Sequence, residues 1–331
     1  MNMLARFVAI GAAVIASTFG TSALAQSGAN FFSDKTVNFI VGTGPGGVYD
    51  TNGRLLAEYM QKYLPGSTFV VRNMPGAGGI IAANFVYASK PDGLTIGIFN
   101  PGLIYSQLGQ EPTIKFDLAK MSWIGNLTSD PRVVVTTTQS GITSWHQLAT
   151  GEKVKFAACG IGCSRMLETT MLTNALELPI QVVTGYNGND DVLAMRRGEV
   201  QGLIGSRSAF QQFVQEGHGQ MIAQIGGTQT DLPQLSSLTE DKAGLRTISL
   251  IESLGTISRP SAGPPAIPTD RLAALWDAYA KATSDPEFLT RAERLQLDVN
   301  VQVGDEVTLA MTKALNQPLE MVQLIKDTTN Q

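Results

Sequence analysis

Twice near its start the chain runs from an apolar strand-like segment through clustered glycines into a helix-like segment. The first passage joins residues 37–41, through Gly42-Thr43-Gly44-Pro45-Gly46-Gly47, to a helix-like run from Asp50. The second joins residues 69–71, through Asn73-Met74-Pro75-Gly76-Ala77-Gly78-Gly79, to another. Strands alternating with helices require right-handed crossovers and a mainly parallel sheet, which restricts the chain to α/β architectures. A glycine-rich turn at a helix start also leaves backbone N–H groups bare where the helix dipole favours an anion. Two such turns in one lobe suggest an oxyanion cradle.

The pattern continues. In the first helix Leu55, Leu56, Tyr59, Met60 and Tyr63 form an apolar stripe that must pack on a sheet. A second series follows Asp130-Pro131, with strands expected at 133–137, 154–158, 180–183, 200–204 and 221–225 and helices at 164–176, 190–197 and 209–216. An irregular polar segment then reaches Gly244, and 248–268 reads as a return path. Helices are expected at 271–282, 286–295 and 306–326. The second series is therefore an insertion: lobe 1 comprises 31–130 with 252–331, lobe 2 comprises 131–251, and the hinges lie near Ser129-Asp130 and Ile251-Glu252.

The N-terminus has the pattern of a secretory signal, with Arg6, an apolar run over 7–16 and the small-residue site Ala23-Leu24-Ala25. Removal of 1–25 would place a chain beginning at Gln26 outside the cytoplasm. No later segment is apolar and long enough to span a bilayer. A net charge of −4 with only 16% charged residues offers no footprint for nucleic acid or anionic lipid. The two cysteines, Cys159 and Cys163, could close a small disulfide across a glycine-containing turn or remain as buried thiols. With His146 and His218 they make a poor ligand set for a metal.

Ligands of open parallel sheets sit beyond the carboxyl ends of the strands. The loops expected there are 44–50, 73–79, 100–102, 159–165, 185–189 and 205–208. Arg165 and Arg207 are the arginines in the lobe 2 loops, and a guanidinium on one of them suits a carboxylate. Asp50 reads as a helix cap or a ligand contact, and Tyr49 as a stacking or a packing residue. Gly42-x-Gly44-x-x-Gly47 formally matches a dinucleotide fingerprint. Asp50 would repel a pyrophosphate, however, and the next strand ends in Arg72-Asn73 where an acid is required. Neither histidine has a nucleophile and an acid at a motif spacing. The residues point to a binding protein without cofactor, not an enzyme.

Gly44-Pro45-Gly46-Gly47-Val48-Tyr49-Asp50, Arg54-Leu55-Leu56-Ala57-Glu58, Arg72-Asn73-Met74-Pro75-Gly76-Ala77-Gly78-Gly79 and Pro91-Asp92-Gly93-Leu94-Thr95 resemble, in order and spacing, the signature of the tripartite tricarboxylate transporter receptors, also called the Bug family. The likeness extends more weakly through 159–165, 184–197 and 263–267. It implies a two-lobe periplasmic-binding-protein fold of type II character, closing on a small carboxylate and delivering it to integral-membrane permease subunits, with the receptor itself a monomer; the alternative is an exported sensor or partner-binding module on the same fold, since uptake and sensing both need ligand-dependent closure. In such receptors backbone groups and bridging waters near the first glycine-rich loop hold the ligand carboxylate, here Pro45, Gly46, Gly47, Val48, Tyr49 and Asp50, with Gly78 and Asn100 alongside. Lobe 2 would add small polar residues at Gly160, Gly162, Cys163 and Ser164, to which the loop reading adds Tyr186 and one of Arg165 and Arg207. The chain departs from the family pattern at Cys163, commonly threonine, at Tyr186-Asn187-Gly188, and at Gly205, often aspartate; the ligand's identity transfers least.

Overall fold

The computed structural model describes residues 28–329 apart from Ile161, Asn187, Gly188 and Gln296, so the expected leader at 1–25 lies outside the described residues. In chain order the elements are β1 (Thr36–Val41), α1 (Val48–Tyr63), β2 (Thr68–Asn73), α2 (Ile80–Tyr87), β3 (Thr95–Ile98), α3 (Gly102–Gly109), β4 (Ser122–Asn126) and β5 (Arg132–Thr137). Then come α4 (Trp145–Thr150), β6 (Val154–Cys159), α5 (Ser164–Ala175), β7 (Ile180–Tyr186), α6 (Asp190–Arg196), β8 (Gly202–Ser206), α7 (Arg207–Gln215) and β9 (Gly219–Ile225). The chain closes with α8 (Lys242–Gly255), β10 (Pro260–Gly263), α9 (Thr269–Ser284), α10 (Pro286–Arg294), β11 (Gln302–Val303), α11 (Asp305–Leu315) and α12 (Leu319–Thr329).

Two sheets result, ordered β11-β4-β10-β3-β1-β2 and β7-β6-β8-β5-β9, each flanked by helices. The parallel ladders join β1 to β2 and β3, and β6 to β7 and β8. The remainder is antiparallel: β10 runs against β3 and β4, β11 against β4, and β5 against β8 and β9. The sheets are thus mixed where mainly parallel ones were expected. The reversed strands include the one on which the chain enters the second sheet, β5, and the one on which it returns to the first, β10.

Burial explains the layering. Phe39, Ile40 and Val41 of β1 are fully buried, because α1 and α9 cover one face of the first sheet while α2 and α3 cover the other. Gly125 of β4 lies directly under the Tyr279 ring of α9, where a Cβ would come within 2.5 Å of it. On the second face the apolar core does not stop at the first sheet. Leu103 and Ile104 of α3 share one cluster with Leu167 and Met171 of α5, and α12 packs on α3, α5 and α8.

Several boundaries differ from expectation. Residues 242–255, read as the end of an irregular segment and the start of a return path, form α8, capped by Asp241 accepting from Gly244 N–H at 2.7 Å. Ile251 and Glu252 therefore sit inside a helix, and the chain crosses back over 256–259. The single helix expected over 306–326 divides at Pro318, whose ring cannot continue it.

Asp285 supplies a tether between α1 and α10. Its side chain, 4% exposed, accepts from Lys62 Nζ at 2.7 Å and Tyr63 Oη at 2.8 Å, and caps α10 through Glu287 N–H at 2.8 Å. The hydrogen bonds from Lys62 and then Tyr63 push its carboxyl down to about 2, against about 3.9 in an unfolded chain. A depressed folded value stabilises above the unfolded one and is lost as pH falls through the folded one. Asp285→Asn keeps a capping side chain, so it is expected to lower the thermal midpoint modestly at pH 7. That deficit should narrow as pH falls from about 4 toward about 2 in a pH series of melts.

Candidate ligand-binding cavity

A cavity of about 260 Å³ opens between the loops of the two sheets, just below the roughly 300–1,000 Å³ usual for ligand pockets. Gly47, Val48, Tyr49, Gly78 and Asn100 line it from the first sheet, and Cys159, Gly160, Cys163, Ser164, Arg165 and Tyr186 from the second. Of the residues expected at the site, Pro45, Gly46, Asp50, Gly162 and Arg207 are not among its lining.

The wall is rich in backbone donors. Neither Gly47, which precedes α1, nor Cys163, which precedes α5, makes a side-chain cap. The first amides of both helices are left for a ligand or water, with both dipoles favouring negative charge. The turn Ala77–Gly79 adds backbone held open by positive φ at Ala77, Gly78 and Gly79. Asn100 fixes this turn, donating from Nδ2 to the Gly78 carbonyl at 3.3 Å while its Oδ1 accepts from Gly102 N–H at 2.5 Å.

Asp50 is a brace behind that wall. Its carboxylate accepts from Gly46 N–H at 3.0 Å, from Arg54 at 2.9 and 3.0 Å and from Asn73 Nδ2 at 2.9 Å, and Asn73 also donates to the Thr43 carbonyl at 3.0 Å. Burial would raise its pKa, but the hydrogen bonds from Arg54, Gly46 and Asn73 outweigh that and hold the carboxyl below its usual range. One side chain thus ties the two glycine-rich turns to each other.

Two arginines face the cavity, and they are differently committed. Arg132 lies at the start of β5, buried, and grips Glu168 of α5 through Nε at 2.7 Å and Nη2 at 3.1 Å, with Nη1 donating to Ser206 Oγ at 3.1 Å. Burial opposes its charge, but Glu168 prevails and its pKa is raised. Arg165 pairs through Nη1 with Asp191 in the first turn of α6 and lies 5.6 Å over the Phe210 ring. Its side chain stays 21% exposed, and burial, aided by Arg132, pushes its pKa down to about 10, leaving it cationic at neutral pH. Arg207 turns the other way, to Asp231 at 2.5 Å and Gln224 at 3.3 Å.

Behind the cavity, Tyr49 Oη donates to the Ser258 carbonyl at 3.0 Å, and burial raises its pKa. Tyr49 therefore touches the returning crossover as well as the cavity. Cys159 and Cys163 are joined in a disulfide. His146 and His218 are not among the lining residues, and the described residues contain no group of three or more His, Cys, Asp or Glu placed to hold a metal. None of the helices among them is long and apolar enough to cross a membrane.

Sequence reasoning missed Arg132, Glu168 and Phe210. Arg132 stands opposite Ser206, the last residue of β8, because β5 runs antiparallel to it. The start of β5 and the ends of its parallel neighbours therefore share one edge.

The model of the tripartite tricarboxylate transporter family receptor matches residues 53–325. Among relatives, BugT of Bordetella pertussis is 26% identical over 251 residues, covering 72% of this chain and 74% of its own. Among solved structures, the periplasmic binding protein BugD superposes with a TM-score of 0.74 at 22% identity, over 89% of this chain and 97% of that one. MatC of Rhodopseudomonas palustris with bound malate gives 0.71 at 20% identity, over 89% and 99%. The fold is that of the two-lobe periplasmic binding proteins, each sheet with its helices forming a lobe. With a family match over most of its length, and with the glycine-rich turns of that family's signature gathered on one cavity, the chain belongs to the tripartite tricarboxylate transporter receptors.

Proposed function

We propose that this protein is a non-catalytic periplasmic receptor that captures a small carboxylate between its lobes and presents the closed form to membrane permease subunits. The observation that carries this reading is the pair of uncapped helix starts, α1 from one lobe and α5 from the other, meeting across a cavity that also holds the cationic edge of Arg165. A carboxylate there exchanges its water shell for fixed backbone donors and dipoles. Malate in MatC supports a compact organic acid as the class to try first. The lobes pivot at the two crossings, 127–131 and 256–259, and closure is the state a permease would read. An N-terminal signal at 1–25 delivers the chain to the periplasm.

Thermal unfolding against mono-, di- and tricarboxylates, aromatic acids, amino acids and NADP tests this directly, since a ligand of the native state raises the midpoint. One carboxylate class is expected to do so, by RT ln(1 + [L]/Kd), or about 2.7 kcal/mol at a hundredfold excess over Kd. A rise with NADP alone would replace the receptor reading with an enzymatic one.

A further inference from the structure

Both cysteines of the chain line the cavity, and they are bonded to each other. Cys159 is the last residue of β6, opposite Tyr186 in the ladder with β7, and Cys163 is the residue on which α5 begins. Their bond closes a ring from strand end to helix start, and Cys163 N–H donates back across it to the Gly160 carbonyl at 3.1 Å. The ring contains Gly160 and Gly162, the latter at φ +81°. Glycine at these two positions adds backbone freedom that a covalent tie between the cysteines offsets.

Two functions depend on the shape of that ring. The first is the aim of the amides of Ser164 and Arg165, which follow it directly. A serine or threonine in place of Cys163 would offer its hydroxyl as a cap to the amide of Arg165 or Met166, whereas a disulfide sulfur does not, and α5 has no side-chain cap. The second is the meeting of the lobes. A Cβ built on Gly78 would stand 2.6 Å from Cys163 N, and one built on Gly102 would stand 2.5 Å from Ser164 N. Backbone from the first lobe therefore rests on this ring with no room for its displacement.

We propose that the Cys159–Cys163 disulfide is a positioning element of the binding site, tying the start of α5 to the end of β6 so that the α5 amides are aimed at a carboxylate and the lobes can meet. The proposal rests on the receptor reading above. A helix start already tied in place would spare part of the ordering cost on binding. A ring this short contributes to global stability at the low end for disulfides, since that contribution grows with loop length. Its effect should therefore be larger on affinity than on unfolding.

The test compares the oxidised protein with the protein reduced by dithiothreitol and with the double variant Cys159→Ala/Cys163→Ala. Reduction passes two electrons and two protons from the dithiol, which closes to its own cyclic disulfide, and leaves two cysteine thiols. Alanine adds no capping hydroxyl. One readout needs no ligand: hydrogen exchange at Cys163 and Leu167, whose amides donate to the Gly160 and Cys163 carbonyls at 3.1 Å, is expected to quicken in the reduced protein, and at the same positions in the variant, while exchange in β1 and β6 is unchanged. The other is calorimetric titration with malate, adipate, citrate and benzoate, where the tightest of the four should weaken about tenfold or more. By reciprocity that acid should oppose reduction by the same factor.

Equal affinities in the oxidised and disulfide-free forms would overturn the proposal. If none of the four acids binds the oxidised protein, the receptor reading loses its support for this ligand class. The exchange readout then decides the positioning role alone, and unchanged rates overturn it.

Discussion

Gly102→Ala is expected to leave the protein folded and to weaken carboxylate binding at least tenfold. Gly102 opens α3 and is not among the positive-φ glycines, so alanine is compatible with its backbone. The obstacle is the other lobe. The new Cβ would stand 2.5 Å from Ser164 N and 3.0 Å from the Gly162 carbonyl oxygen, well inside contact distance and against backbone that cannot rotate away. It would also meet Asn100 Oδ1 at 2.6 Å, pressing on the side chain that holds the Ala77–Gly79 turn. Only separation of α3 from α5 relieves the first two contacts, and separation withdraws the α5 amides from the α1 amides across the cavity. Gly78→Ala adds the same kind of obstruction at Cys163 but confounds it with backbone strain at φ +61°, so Gly102 is the cleaner probe. Titration calorimetry paired with a ligand-free melt checks the prediction: unchanged affinity would mean that the lobes need not touch here to hold a ligand.

On the proposed receptor reading, closure would also be linked to packing well away from the ligand. The apolar cluster running from Leu103 and Ile104 to Leu167 and Met171 continues into α12, which rests on helices of both lobes. Opening must slide or part these surfaces, and uncovering apolar area costs about 25 cal/mol per Å². In the proposed receptor, binding of a small acid would have to offset that cost to bias a movement of the lobes.

What the sequence disclosed about the site follows from which rule each residue obeys. The turns around Gly47 and Gly78, the 159–165 loop and Tyr186 end or follow strands of the parallel ladders, so the carboxyl-edge rule finds them. Arg132 starts a strand instead, and no pattern in 130–137 announces that β5 is reversed. Arg207 does begin a helix after β8, but its N–H is taken by the Pro131 carbonyl and its guanidinium by Asp231. A position in the chain does not give a side chain's direction. Asp50 looked like a cap because acids favour first turns. Its carboxylate instead reaches back to Gly46 N–H and across to Asn73, a contact between two turns that neither turn discloses alone. No element was expected at α3 or β4; both are short, and Gly102–Ser106 and the whole of β4 are buried, so they carry little amphipathic period to read.

Asp130→Ala is expected to be the most destabilising single change at the two crossings between the sheets. Asp130 lies on the outgoing crossing and Arg259 on the returning one, with side chains 0% and 2% exposed and joined at 3.0 Å. Ser208 donates to the same carboxylate through its hydroxyl and, at 3.2 Å, its N–H, so Asp130 also satisfies the first turn of α7. Arg259 in turn donates to Ser208 Oγ at 2.8 Å and lies 5.9 Å from the Tyr49 ring. Removing the carboxylate strands a buried guanidinium and opens a helix end, for which about 3–5 kcal/mol is the expected loss. The pair itself need not be stabilising, because burying two charges costs nearly what their attraction returns. Asp130→Leu/Arg259→Met should therefore recover most of the loss, and urea unfolding of the three proteins checks the order. A loss below about 1 kcal/mol for Asp130→Ala would show that water reaches the site and screens Arg259. The double variant also separates stability from movement. It restores packing without the charged link between crossings, so a stable protein with a weakened carboxylate response would place the value of Asp130–Arg259 in where the lobes pivot.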